Sequence, residues 1–120
     1  MLKAGKARKV SIYLSEGARH HGVATEASIL DYLFTHSVSG ATVFKGVAGF
    51  GVDHHLHSAS FVELSDKLPV KIEFVETEEK VDALLPKLMQ LAGTGMIDVV
   101  ETTIVKPAGA LKTASEAGEA

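Results

Sequence analysis

From Val10 to Ser15 apolar and polar residues alternate strictly, which places Val10, Ile12 and Leu14 on one face of a strand. The period then lengthens. Between Ala24 and Val38 the residues Ile29, Leu30, Leu33 and Phe34 recur at helical spacing, with Thr25 or Ser28 as the N-cap and Gly40 where a helix commonly stops. Ala41 to Val47 predicts a second strand, and Pro69 to Glu76 a third, in which Val70, Ile72 and Phe74 face one way and Lys71 and Glu73 the other. Thr77 caps a second helix whose first turn holds Glu78 and Glu79 and whose buried stripe is Val81, Leu84, Leu85 and Leu88. Pro86 lies inside it and is expected to kink or restart it. After Gly93, Thr94 and Gly95, Met96 to Lys106 forms a last strand.

The order strand, helix, strand, strand, helix, strand predicts an α+β, ferredoxin-like βαββαβ domain, an antiparallel four-stranded sheet with two helices on one face. The expected boundaries are a basic leader at 1–9, the domain at 10–106 and a disordered tail at 107–120, which is mostly Ala, Gly, Ser, Thr and Glu. Helices on one side leave the other side of the sheet open, and self-association through that face is expected.

Composition narrows the function. The net charge of −3 and the two arginines, Arg8 and Arg19, give no support to nucleic-acid binding. There is no cysteine, hence no disulfide framework, thiolate metal site or cysteine nucleophile, and a cytoplasmic location is expected. The basic start is not followed by an apolar run of signal-peptide length, and nothing approaches a membrane span.

The segment between the second and third strands carries the candidate chemistry. Gly46, Gly49 and Gly51 can each take a positive φ or admit a ligand close to the backbone. Their spacing does not fit a Walker loop, and the next strong signal is a strand, so a dinucleotide fingerprint is absent too. Asp53, His54, His55 and His57 follow. Neutral imidazoles bind zinc, copper or nickel, and His55 and His57 converge if the chain is extended there, but solvated or packed histidines are the commoner outcome. His20 and His21 read as exposed loop residues after the first strand. Gly93, Thr94 and Gly95 read either as a helix C-cap or as an anion cradle of backbone amides. Glu78, Glu79 and Glu101 have no nucleophile and base at a recognisable spacing, so no enzyme is expected.

The run Gly40-Ala-Thr-Val-Phe-Lys-Gly-Val-Ala-Gly-Phe-Gly51, then His57, then Leu64-Ser-Asp-Lys-Leu-Pro-Val-Lys-Ile-Glu73, resembles the uncharacterised PII-like proteins formerly grouped as a domain of unknown function. The resemblance covers about Val10 to Lys106. It implies a homotrimer of ferredoxin-like subunits in the manner of PII signalling proteins, with an effector, expected to be an adenine nucleotide, in clefts between subunits. A mobile loop at 47–67 would report occupancy to a partner such as a transporter or metabolic enzyme.

Carried over by position, the effector-binding residues are Lys45, Gly46, Gly49, Gly51 and His57 at the loop, Gly93, Thr94 and Gly95 at the turn, and Lys106 near the end of the last strand. Where PII proteins carry basic side chains after that turn, this chain has Met96, Ile97 and Asp98, which leaves phosphates to backbone N–H groups and one or two lysines. The alternative reading is a divalent-cation-binding trimer resembling CutA, with His54, His55 and His57 as ligands. A small enzyme using His57 as acid or base is a third.

Overall fold

The computed structural model describes residues 2–52, 56–58 and 68–109. Four long strands, β1 (Gly5–Ser15), β4 (Ala41–Lys45), β7 (Pro69–Glu76) and β8 (Met96–Ile104), form one antiparallel sheet in the order β4-β7-β1-β8. Two helices, α1 (Thr25–Thr35) and α2 (Glu78–Ala92), complete the βαββαβ order. The short ladders β2 (Arg19–His20) with β3 (Val23–Ala24), and β5 (Ala48–Gly49) with β6 (His57–Ser58), decorate the two loops.

The core lies between the sheet and the helices. Val10, Ile12 and Leu14 of β1 and Val70, Ile72 and Phe74 of β7 are buried, opposite one another in register, as alternation requires. Ile29 and Leu33 of α1 and Val81, Leu84, Leu88 and Ala92 of α2 close over them. Leu30 and Leu85 pack at the margin, whereas Phe34, expected in the stripe, is 83% exposed. Only an 11-residue helix is present, and its buried line falls on Ile29 and Leu33, which turns Phe34 outward.

Several local expectations change for identifiable reasons. β1 begins at Gly5, not Val10, because β8 continues as a partner: Gly5 pairs with Ile104 and Ala7 with Thr102. Lys6 to Lys9 are therefore strand residues, and Arg8 meets Glu78 at 2.9 Å. β8 ends at Ile104, two residues short of Lys106, and β4 ends at Lys45. The part of the tail at 110–120 lies outside the described residues.

Neither Thr25 nor Ser28 caps α1. Ala24 is the N-cap, without a side-chain bond, and the Thr25 N–H donates to the Ala18 carbonyl at 2.9 Å. The helix also stops before Gly40. Ser37 takes the left-handed conformation (φ 59°), its N–H donates to the Phe34 carbonyl at 3.2 Å, and Val38 N–H to Leu33 at 3.1 Å. That is a Schellman termination with serine in the usual glycine place. In α2 the Thr77 cap is as expected, its hydroxyl accepting from the Lys80 N–H at 3.2 Å, and the helix runs through Pro86 as one element.

The connection from α1 to β4 is tied to the start of α2. Glu76, 3% exposed, accepts from the Ser39 N–H at 2.8 Å, while the Lys80 ammonium sits 3.9 Å away and donates to the Ser37 carbonyl at 2.6 Å. At the other end of β4 the Gly46 N–H donates to the Pro69 carbonyl at 2.7 Å. A Cβ on Gly46 would lie 2.7 Å from Pro69 Cγ, and one on Gly49 3.1 Å from the same atom. Gly95 has the same constraint from β1, since a Cβ there would meet the Tyr13 carbonyl oxygen at 2.6 Å and Leu14 Cδ2 at 2.8 Å.

Three variants test these contacts by their stability. Glu76→Ala removes a buried carboxylate that accepts from the Ser39 N–H in a part-buried bond, and urea denaturation should show a loss of about 1 kcal/mol. Gly95→Ala should cost about 1–3 kcal/mol by forcing a methyl group against backbone. Gly51→Ala, where nothing lies within 4 Å, should stay within about 0.5 kcal/mol of the parent. Equal effects at Gly95 and Gly51 would contradict the close-packed account of the second turn.

Candidate functional site

The sheet order brings together two segments far apart in sequence. β4 delivers Phe44, Lys45 and Gly46 beside the first residues of β7, and β8 starts next to Tyr13, so the turn after α2 lies at the same end of the sheet as the loop base. Between them is a concavity of about 830 Å³. Its walls include Lys45, Gly46, Gly49 and Gly51 from the loop base and Thr94 and Gly95 from the turn. A volume of this size lies within the range of about 300–1,000 Å³ usual for small-molecule sites.

Most of the remaining wall is apolar or aromatic. Tyr13, Leu14, Phe44, Phe50, Val52 and Met96 contribute, with Pro69 as the floor on which Gly46 and Gly49 rest. The Gly51 Cα faces open space, so its place in the wall does not depend on being glycine. Among the described residues two lysines line the cavity, Lys45 and Lys71. Lys45 pairs with the Glu16 carboxylate, and Lys71 lies 3.3 Å from Glu73 and 4.9 Å from the centre of the Phe44 ring.

The other residues singled out in the sequence are placed differently. Gly93 is the C-cap of α2 with φ 59° and ψ −115°, a positive-φ conformation that favours glycine, and is not part of the wall. The Gly95 N–H is spent on the Ala92 carbonyl at 2.9 Å, so it does not offer itself to an anion. Lys106 follows the far end of β8 and donates to the Pro107 carbonyl at 3.4 Å. It is ten residues beyond Met96, on the order of 30 Å along a strand, so within one chain it cannot join the cavity.

His57 pairs through its backbone with Gly49, but its side chain lies outside the described residues, as do Asp53, His54 and His55. Among the described residues no group of three or more His, Asp or Glu could hold a metal ion. His20 and His21 sit in the β2–β3 hairpin, whose two-residue turn takes positive φ at His21 (52°) and Gly22 (79°) and keeps both rings out of the cavity wall. Tyr13, Phe44, Phe50 and Met96 are among the wall residues that local sequence pattern does not single out. Their signal was an apolar residue on the open sheet face or after a glycine, visible only once the strand pairing is known.

No described helix is long and apolar enough to cross a membrane. Among curated relatives, the chain is 36% identical to a UPF0166 protein of Methanocaldococcus jannaschii over 84% of its own length and 94% of the relative's. It is 26% identical to a UPF0166 protein of Aquifex aeolicus, over 72% and 83%. Among solved structures it is similar to CPII of Thiomonas intermedia K12, described as a nitrogen regulatory PII-like protein bound to ADP, AMP and bicarbonate, with TM-score 0.62 and 22% identity over 88% of this chain and 100% of that one. A DUF3240 family protein of Shewanella baltica is more distant, with TM-score 0.52, 15% identity and coverage of 88% and 97%. Residues 7–104 match the family DUF190, described as "Uncharacterized ACR". By sequence the chain belongs to the DUF190 (UPF0166) family, and by fold it stands with the PII-like proteins.

Proposed function

We propose that this protein is a non-enzymatic regulator that binds an adenine nucleotide in the cavity between the loop base and the turn after α2. The observation that carries the reading is that one concavity of about 830 Å³ joins Lys45, Gly46, Gly49 and Gly51 to Thr94 and Gly95. Aromatic rings on its wall suit a flat base, and Lys45 suits a phosphate. That CPII, of the same fold, was solved with ADP and AMP supports the choice of ligand.

The regulatory step follows from where the wall is built. Gly49, Phe50, Gly51 and Val52 are both wall and the beginning of the 47–67 segment, which is held to its other arm by the two-residue β5–β6 ladder. A bound ligand that contacts one arrangement of these residues better than another shifts the population of that arrangement, and a partner, such as a transporter or metabolic enzyme, reads the difference. Assembly as a homotrimer is part of the proposal. Its support is the open sheet face, where Phe44, Met96 and Val100 are 46%, 58% and 53% exposed beside Tyr13.

The test is a thermal-shift and calorimetric titration of the full chain with AMP, ADP and ATP, with sedimentation run alongside to give three chain masses. A ligand at a hundred times its dissociation constant should stabilise the native state by about 2.7 kcal/mol. Thr94→Trp, a change at an exposed wall position, should leave the unliganded midpoint near that of the parent and remove the shift. No shift with any adenine nucleotide, or full binding by Thr94→Trp, would overturn the proposal.

A further inference from the structure

The charges around the cavity are nearly balanced before any ligand arrives. Its two cations among the described residues each have a carboxylate partner, Glu16 for Lys45 and Glu73 for Lys71. Glu16 is the better anchored member of its pair: its backbone N–H donates to the Leu68 carbonyl at 2.9 Å, and its side chain is 26% exposed against 56% for Lys45. Ala92, the last residue of α2, lies in the wall, and that helix has no basic residue in its last turn. The cavity therefore also feels the negative end of a helix dipole, equivalent to roughly half an electron charge.

Resting on the nucleotide reading above, we propose that Glu16 is a specificity-determining residue that limits the cavity to ligands of low charge, nucleosides and nucleoside monophosphates, and disfavours di- and triphosphates. A single phosphate can share Lys45 with Glu16. Each further phosphate adds negative charge beside two carboxylates and a helix C-terminus, with no described cation of the wall left to meet it. The aromatic and apolar wall, in contrast, rewards the base equally whatever the phosphate count. Glu16 acts through Lys45 and through the local potential, not by touching the base.

Calorimetry on the full chain in magnesium-free buffer, with adenosine, AMP, ADP and ATP as probes, tests this. The parent should bind AMP at least as tightly as ATP. Glu16→Gln keeps the shape and frees Lys45, so ATP affinity should rise about tenfold relative to adenosine, whose affinity should hold, as expected for removing a charge that repels the ligand. Glu16→Asp should restore the parental ranking, which a merely structural role for Glu16 would not predict. A parent that binds ATP more tightly than AMP, or a Glu16→Gln variant in which ATP and adenosine move together, overturns this inference and leaves the nucleotide site standing. Failure of all four probes on both proteins overturns the inference together with the function it rests on.

Discussion

The close approach of β4's exit to the first residue of β7 is the constraint on which the site depends. Gly46 can donate to the Pro69 carbonyl at 2.7 Å, with the proline ring immediately beneath it, because neither Gly46 nor Gly49 carries a Cβ. Pro69 suits the place in turn, since its ring stiffens the strand start and supplies a flat apolar surface. Held there, the chain leaves β4 along a cavity whose wall also holds Tyr13 of β1 and Met96 of β8. The cavity is the space enclosed by that departure and by the turn after α2.

The same economy appears at the opposite end of β4. The Schellman termination at Ser37 and the buried Glu76 fix the α1–β4 connection to the junction of β7 and α2, so that β4 enters the sheet in a single register, Val43 against Ile72. Because side chains alternate, a slip of one residue would turn Phe44 and Thr42 toward the core and Val43 away from it. Register thus decides which side chains face the open side of the sheet, where Phe44 and Lys71 meet. The result is an apolar core across the middle of β1 and β7, closed at the end of β7 by the buried Glu76, and an open face on which Lys71 pairs with Glu73.

Much of this was legible in the sequence, and the exceptions have physical causes. Strict alternation in Val10–Leu14 and Val70–Phe74, and the 3.6-residue period of Val81, Leu84 and Leu88, were sufficient for the element order and hence the fold. The Thr77 cap was legible because the hydroxyl and the two glutamates after it act within one turn. The start of β1 was not, because Lys6, Arg8 and Lys9 look like a solvated leader until β8 is placed alongside. Ser37 was passed over because glycine is the ordinary left-handed residue, and Gly40 stood nearby as a decoy. For the candidate site, glycine spacing and family resemblance pointed to the loop base and to Thr94 and Gly95, which line one cavity. They also nominated Lys106, which strand direction sends to the far end of the sheet, and Gly93, whose conformation serves the helix end. The aromatic wall and the Glu16–Lys45 pair are products of strand order and could not be read from local pattern.

The central claim is that a ligand occupies the space between the loop base and the second turn. Backbone amide NMR of the full chain titrated with AMP addresses it most directly. The account predicts shifts concentrated at Tyr13, Lys45, Gly46, Gly49, Thr94 and Gly95, with little change at Gly5 and Ile104 at the other end of the sheet. Shifts centred on the Arg19–Ala24 hairpin or on the far end of β8, with the loop base unmoved, would contradict it.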